Sequence, residues 1–318
     1  MPGSVISVFS EAESFEAALR EEGYTRLFVT ESGEFRACLT QITLDRLRLA
    51  SAEEELARIA VIAVPANTVL ISWPNAKTPA PVWGGIAMKA GEMLTLGPGT
   101  RLHARTSGQS RWYAIRLREN DLLCYGRALC GAGFIVPPSP TLWRPSPAAA
   151  RSLAGLHRAA INIAKSGSRS LSHIQAAHGL EQEAIYALIG CLCGRPAEEK
   201  TPASDRYRNV LAQLEDLLEA DPITSLAEIC ASLGVSHRFL RKCCEHNLGI
   251  SPGRYHRLRR LQLAHRALRE GGLGPLSVSA VARRFGFREL GRFAASYRTR
   301  YGELPSATLR RASLCRSV

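Results

Sequence analysis

What this chain of 318 residues lacks narrows its reading first. No apolar run approaches the roughly 20 residues needed to span a bilayer, and Met1 to Arg20 shows no basic stretch followed by an apolar one. These absences predict a cytoplasmic protein with no membrane partner. The nine cysteines, an odd number scattered from Cys38 to Cys315, include no C-x-x-C pair. That spacing is unlike a disulfide framework and predicts reduced thiols. Zinc spacings of the C-x2-C or H-x3-H kind are missing too, so neither a metal nor another cofactor is expected.

Acidic residues are scarce in one region only. From Asp221 to Val318 there are 18 Lys and Arg against 6 Asp and Glu, whereas the residues before Asp221 nearly balance at 23 to 22. A folded, strongly basic segment of about 100 residues predicts a polyanionic partner, and the phosphate backbone of nucleic acid is the commonest one.

With 46% hydrophobic and 22% charged residues, the composition is that of a globular protein, and the length suits two domains. Near the start, Ser10 with Glu13 has capping-box spacing ahead of Phe15, Ala18 and Leu19 at helical spacing. From about Phe35 to Leu117, short runs such as "RIAVIAVP", "TVLISWP", "EMLTLGPG" and "RWYAIRL" alternate with Pro, Gly and Asn clusters. They predict strands of a sandwich or small barrel. After "IVPPSPTLWRPSP" the pattern turns helical. Leu180, Ala184, Ile185, Leu188, Ile189 and Leu192 share one helix face, which must be buried on its own domain or on a second copy of the chain. A homodimer through the Leu180–Cys193 helix is the corresponding expectation. The polar segment "GRPAEEKTPASD" divides the chain into residues 1–193, a linker at 194–205, and residues 206–318.

The last third carries the specific signal. In "TSLAEICASLGVSHRFLRKCCEHNLG" the spacing predicts a helix over Leu226–Leu233, a tight turn at Gly234, and a second helix with Ser236 as its N-cap. Phe239, Leu240, Cys243 and Cys244 form one face of that helix and Arg238, Arg241, Lys242 and Glu245 the other. About 50 residues later, "LSVSAVARRFGFRELGRFAASYRTRYG" repeats the arrangement. A helix from Ser279 to Phe285 meets a turn at Gly286, and the next helix points Phe293, Tyr297 and Tyr301 inward and Arg288, Gly291, Arg292 and Ala295 outward. Two short helices joined by a Gly-containing turn are the helix-turn-helix pattern, whose second helix enters the DNA major groove. Between the units, Ser251 and Pro252 cap a helix running to about Glu270, stopped by Gly271-Gly272. Its arginines 257, 259, 260, 266 and 269 are expected on a solvated face or against phosphates.

The spacing of G-V-S, L-G-I-S-P, R-L, G-F, F-A, Y and G-E-x-P-S across about Leu217 to Arg311 resembles the AraC/XylS family of bacterial transcription regulators. Leu290-Gly291-Arg292-Phe293, "ISWPN" and "LTLGPGTRLHART" are similar to a subgroup that includes the ethanolamine-operon regulator. In that subgroup an aromatic follows G-F, and here Arg288 and Glu289 stand instead, so its operator is not transferable. The resemblance implies an α+β chain: a β-rich, cupin-like N-terminal sensor with flanking helices, and an all-α C-terminal domain with two helix-turn-helix units. It implies promoter DNA as partner, activation through RNA polymerase, and control by a small-molecule effector.

Carried over by motif, the DNA-facing positions are Ser236, His237, Arg238, Arg241 and Lys242 in the first unit and Arg288, Glu289, Leu290, Gly291 and Arg292 in the second. Arginine reaches guanine O6 and N7 with two hydrogen bonds, while Ser236 and the helix N-termini suit phosphates. No catalytic residue is expected. The metal-binding cupin signature needs H-x-H, and "RLHARTSGQ" offers only His103. Trp73, Trp83 and Trp112 fit core packing, with an effector-pocket wall as the alternative. Two other functions stay open: a regulator without any effector, and a DNA-repair or redox protein fused to a DNA reader, with an activated Cys38, Cys124 or Cys130 in a basic pocket. Cys191-x-Cys193, without flanking cations to lower a thiol pKa, fits core or interface packing, with an oxidation sensor as the alternative.

Overall fold

The computed structural model describes residues 2–166, 173–194, 196–197, 202–270 and 277–314. The chain forms two compact units, one of Met1–Leu27 with Glu34–Asp205 and one of Phe28–Gly33 with Arg206–Val318. The first is β-rich with flanking helices and the second is helical, as expected for this α+β chain.

The N-terminal unit is built on two antiparallel sheets. Strands β1 (Gly3–Phe9), β3 (Ala37–Thr43), β4 (Leu47–Glu54), β6 (Thr68–Pro74), β9 (Met93–Leu96), β11 (Ser110–Arg118) and β12 (Thr141–Trp143) make the larger one, in the order β1-β3-β4-β11-β6-β9-β12. The smaller one, β2-β5-β10-β7-β8, uses Tyr24–Val29, Arg58–Ala63, Arg101–Arg105, Val82–Trp83 and Ile86–Ala87. Alternation along the strands gives the large sheet two apolar faces. Leu47, Leu49, Val69, Ile71, Ile115 and Leu117 pack with helices α3 (Pro147–Lys165) and α4 (Ile174–Leu192). The opposite face meets the small sheet where the Tyr24 ring stacks on Trp112 with centroids 5.4 Å apart.

A buried charge cluster sits at that meeting point. Arg58 donates from Nε and Nη2 to the two oxygens of Glu54 at 2.7 and 3.0 Å, and Trp112 Nε1 donates to the same carboxylate at 2.6 Å. Both charged side chains are essentially excluded from water, at 1% and 0% exposure. Such a pair survives burial because its hydrogen bonds replace hydration. Trp73, Trp83 and Trp112 are all buried as core residues, and Trp73 packs edge-on against His157 of α3.

Several expectations change here. The N-cap of the first helix, α1 (Ala12–Leu19), is Glu11 without a side-chain cap bond, so the Ser10–Glu13 capping box does not form. Strands β1, β2 and β12 lie outside the span read as β. Cys130, at the end of α2 (Glu119–Cys130), is disulfide-bonded to Cys193, with Cα atoms 6.0 Å apart across a separation of 63 residues. This overturns the expectation that every thiol is free, because the fold brings the two ends within bridging distance. The α4 face of Ala184, Ile185, Leu188, Ile189 and Leu192 is buried within the unit, with Leu180 at its edge. It therefore offers a second copy little of the surface that motivated a dimer. Cys191 is buried beside it, and burial pushes its thiol up to about 11, away from the reactive thiolate an oxidation sensor needs.

The C-terminal unit comprises α5 (Pro202–Ala220), α6 (Leu226–Ser232), α7 (His237–Leu248), α8 (Pro252–Glu270), α9 (Val278–Arg284), α10 (Leu290–Tyr301) and α11 (Pro305–Leu314). Helix α5 starts inside the segment read as linker. The proposed helix stop at Gly271-Gly272 lies outside the described residues.

Candidate nucleic-acid interface

The first helix-turn-helix is assembled by local rules. Ser225 and Glu228 close a full capping box on α6, Gly234 turns the chain at φ 62°, and Ser236 Oγ accepts from Phe239 N at 3.2 Å to start α7. Gly249, at φ 71°, ends α7. Leu240, Cys243 and Cys244 are fully buried, and burial pushes the Cys243 thiol up to about 11. The adjacent cysteines thus act as small apolar side chains. His246, one turn on, is exposed and packs its ring against Tyr207 of α5. Among the described residues no three His, Cys, Asp or Glu side chains come together as a metal site.

On the outer side, Ser236, His237, Arg238, Arg241 and Lys242 are all exposed on the first two turns of α7. The second unit repeats the geometry. Ser277 caps α9, Gly286 turns at φ 74°, and α10 buries Phe293 and Tyr297. Arg288 and Glu289 stand in the turn and at the N-cap, while Leu290, Gly291 and Arg292 form the exposed first turn of α10. The two sets of candidate residues therefore occupy equivalent places, the N-terminal turns of the second helix in each unit. The 19 residues of α8 that join the units span about 28 Å at about 1.5 Å per residue. That is close to the roughly 34 Å between successive major-groove openings on one face of B-DNA.

Residues 229–311 match the family model described as "Helix-turn-helix domain". Over 144 residues the chain is 29% identical to the XylDLEGF operon transcriptional activator of Pseudomonas putida, covering 45% of this chain and 44% of that protein. The chain thus spans under half the length of that relative. Among solved structures, a probable AraC family transcriptional regulator from Rhodopseudomonas palustris is 38% identical over 33% of this chain and 97% of its own, with a TM-score of 0.31. The AraC-like transcriptional activator CuxR is 14% identical over 84% of this chain and 96% of its own, with a TM-score of 0.45. The C-terminal unit carries a helix-turn-helix domain and is similar to those of AraC/XylS-type regulators.

In this helix-turn-helix domain the exposed cations are not all equally available. Arg241 Nε donates to Glu245 at 2.7 Å and Arg292 Nη1 to Glu289 at 2.9 Å, so each unit holds one candidate base reader beside a carboxylate. Both pairs are exposed and break at little cost when a better acceptor arrives. The expectation of a solvated α8 face fails for two residues. Arg259 is 1% exposed and pairs with Glu215 of α5, which also accepts from the Tyr255 hydroxyl. Arg260 is half-buried, donates to the Gly286 carbonyl at 3.2 Å and lies over the Phe287 ring at 5.0 Å. A Cβ at Gly286 would stand 2.8 Å from Arg260 Nη1, a flexible end that can shift, and 3.4 Å from Ile223, so it is the positive φ that calls for glycine there.

Sequence reasoning missed these supporting roles. Arg260 ties the second turn to the linking helix, and Arg206 of α5 lies 4.6 Å above the Phe239 ring of the first recognition helix. The available signal was an arginine near an aromatic, which is not specific without the fold.

Proposed function

We propose that the chain is a sequence-specific DNA-binding transcription regulator that sets two recognition helices of one polypeptide into one face of promoter DNA. The observation that carries this reading is the repeated placement of exposed Arg238, Arg241 and Lys242 on α7 and Arg288 and Arg292 around the start of α10, one α8 length apart. Two reading heads in one chain engage consecutive grooves without a second copy, so the reading does not depend on a homodimer. The relatives named as operon activators support an activating role, for which we propose RNA polymerase as the partner and the β-rich unit as the place for a small-molecule effector. The work is cytoplasmic and needs no catalysis.

Arg238→Ala and Arg292→Ala are each expected to weaken binding to a selected operator by about 1 to 3 kcal/mol and to relax base preference at one position. A phosphate-facing change on α8 such as Arg257→Ala should instead weaken all sequences alike and lower the salt slope by about one. Gel-shift titrations at several salt concentrations separate the two patterns. Unchanged operator affinity in both arginine variants would overturn the assignment.

A further inference from the structure

The N-terminal unit is close to charge balance as a whole, yet one cavity in it gathers four arginines. This cavity of about 340 Å³ is lined by Arg46, Arg48, Arg116 and Arg118 together with Thr43, Thr68 and Asp45. Strand register forces the crowding. Arg48 of β4 lies directly opposite Arg116 of β11, Thr43 stands opposite Arg48 on β3, and Thr68 of β6 stands opposite Arg118. Like charges directly opposite in a sheet are destabilising, so this pair works against the fold.

The local acids offset part of it without closing on the buried guanidinium. Glu21 takes one hydrogen bond from Arg48 at 2.7 Å in an exposed pair, and Asp45 approaches Arg46 only to 3.9 Å. Arg46 spends Nη1 on the Tyr125 hydroxyl. The fields of Glu22 and Glu21 favour the charge of Arg116, that of Glu22 more strongly than Arg48 opposes it, but the hydrogen bond Glu22 accepts comes from Gln41. Among the described residues no carboxylate is hydrogen-bonded or ion-paired to Arg116 or Arg118, and burial of Arg116 disfavours its charge. A half-buried guanidinium with no hydrogen-bonded carboxylate carries a desolvation cost that a bound anion would reduce.

We propose that this cavity binds a small polyanion carrying two or more phosphoryl or carboxylate groups. Guanidinium forks match both groups with paired, charge-assisted hydrogen bonds, and the Thr43 and Thr68 hydroxyls add neutral donors. The volume lies at the lower end of the range for small-molecule sites, which suits a compact ligand rather than a duplex. The site stands whether or not the chain regulates transcription, and it gives the effector, if this is its place, an acidic chemistry.

The test is calorimetric titration of the full chain with inorganic pyrophosphate and, separately, citrate, at fixed ionic strength. The expected result is saturable binding of at least one probe, one per chain, weakened about tenfold or more by Arg116→Gln and by the exposed Arg118→Gln. Whichever probe binds distinguishes a phosphoryl from a carboxylate ligand. Arg116→Gln should leave the thermal midpoint without anion close to that of the wild type, since burial and Arg48 disfavour the charge it removes while Glu22 and Glu21 favour it. Duplex DNA affinity should be unchanged in both variants. No binding of either probe, or equal binding by wild type and both variants, overturns the proposal. So does a loss of duplex affinity without loss of probe binding, which would make this face part of a nucleic-acid surface.

Discussion

Replacing Glu215 by alanine is expected to destabilise the helical domain by about 3 to 5 kcal/mol. The carboxylate accepts from both the Tyr255 hydroxyl and the Arg259 guanidinium, and Arg259 is almost wholly excluded from water. Removing it strands a buried cation beneath the two recognition units. A domain has only about 5 to 15 kcal/mol in total, so the loss should be visible as early melting of this domain. All four tryptophans, Trp73, Trp83, Trp112 and Trp143, lie in the N-terminal unit. Urea titrations can therefore follow helical circular dichroism for the loss while tryptophan fluorescence reports the other unit. The fluorescence transition should stay in place. Changing Glu215 to Leu together with Arg259 to Met should recover most of the loss, because an apolar pair needs no compensating charge.

The mirror experiment is in the sheet domain. Glu54→Ala leaves Arg58 and the Trp112 Nε1–H without their shared acceptor, in a site where Tyr24 already stacks on Trp112 and faces the guanidinium. The expected cost is again about 3 to 5 kcal/mol, now in the fluorescence-detected transition, with the helical domain unaffected. Loss of less than about 1 kcal/mol would mean that water reaches the cluster and screens it.

These two clusters mark where local pattern stops being informative. Gly234, Ser236, Gly286 and the inward spacing of Leu240, Cys243, Phe293 and Tyr297 could be read directly, because turns, caps and helix faces are set by neighbours within a few residues. The outward placement of Arg238, Arg241 and Lys242 and of Arg288, Gly291 and Arg292 follows from the same periodicity, while Ser236, His237, Glu289 and Leu290 came from the family resemblance. Arg259 could not be placed that way. Its burial depends on Glu215, 44 residues away on another helix, and in isolation an arginine on a basic helix reads as solvent-facing. The Cys130–Cys193 bridge joins a helix end to a helix end across 63 residues, with no spacing to signal it. Strand β1, GSVISVF, had the right residues for a strand but ran outside the span in which turns and strands alternate. The α4 face was legible as apolar, while the identity of what covers it, α3 and the large sheet, was not.

The central claim is that both helix-turn-helix units of one chain read the same stretch of DNA. Hydroxyl-radical footprinting of the full chain on a duplex selected from random sequence tests it most directly. Two protected patches on one face, centred about 10 to 10.5 base pairs apart, are expected, with Arg292→Ala fading only one of them. A single patch that disappears with Arg238→Ala and ignores Arg292→Ala would contradict it.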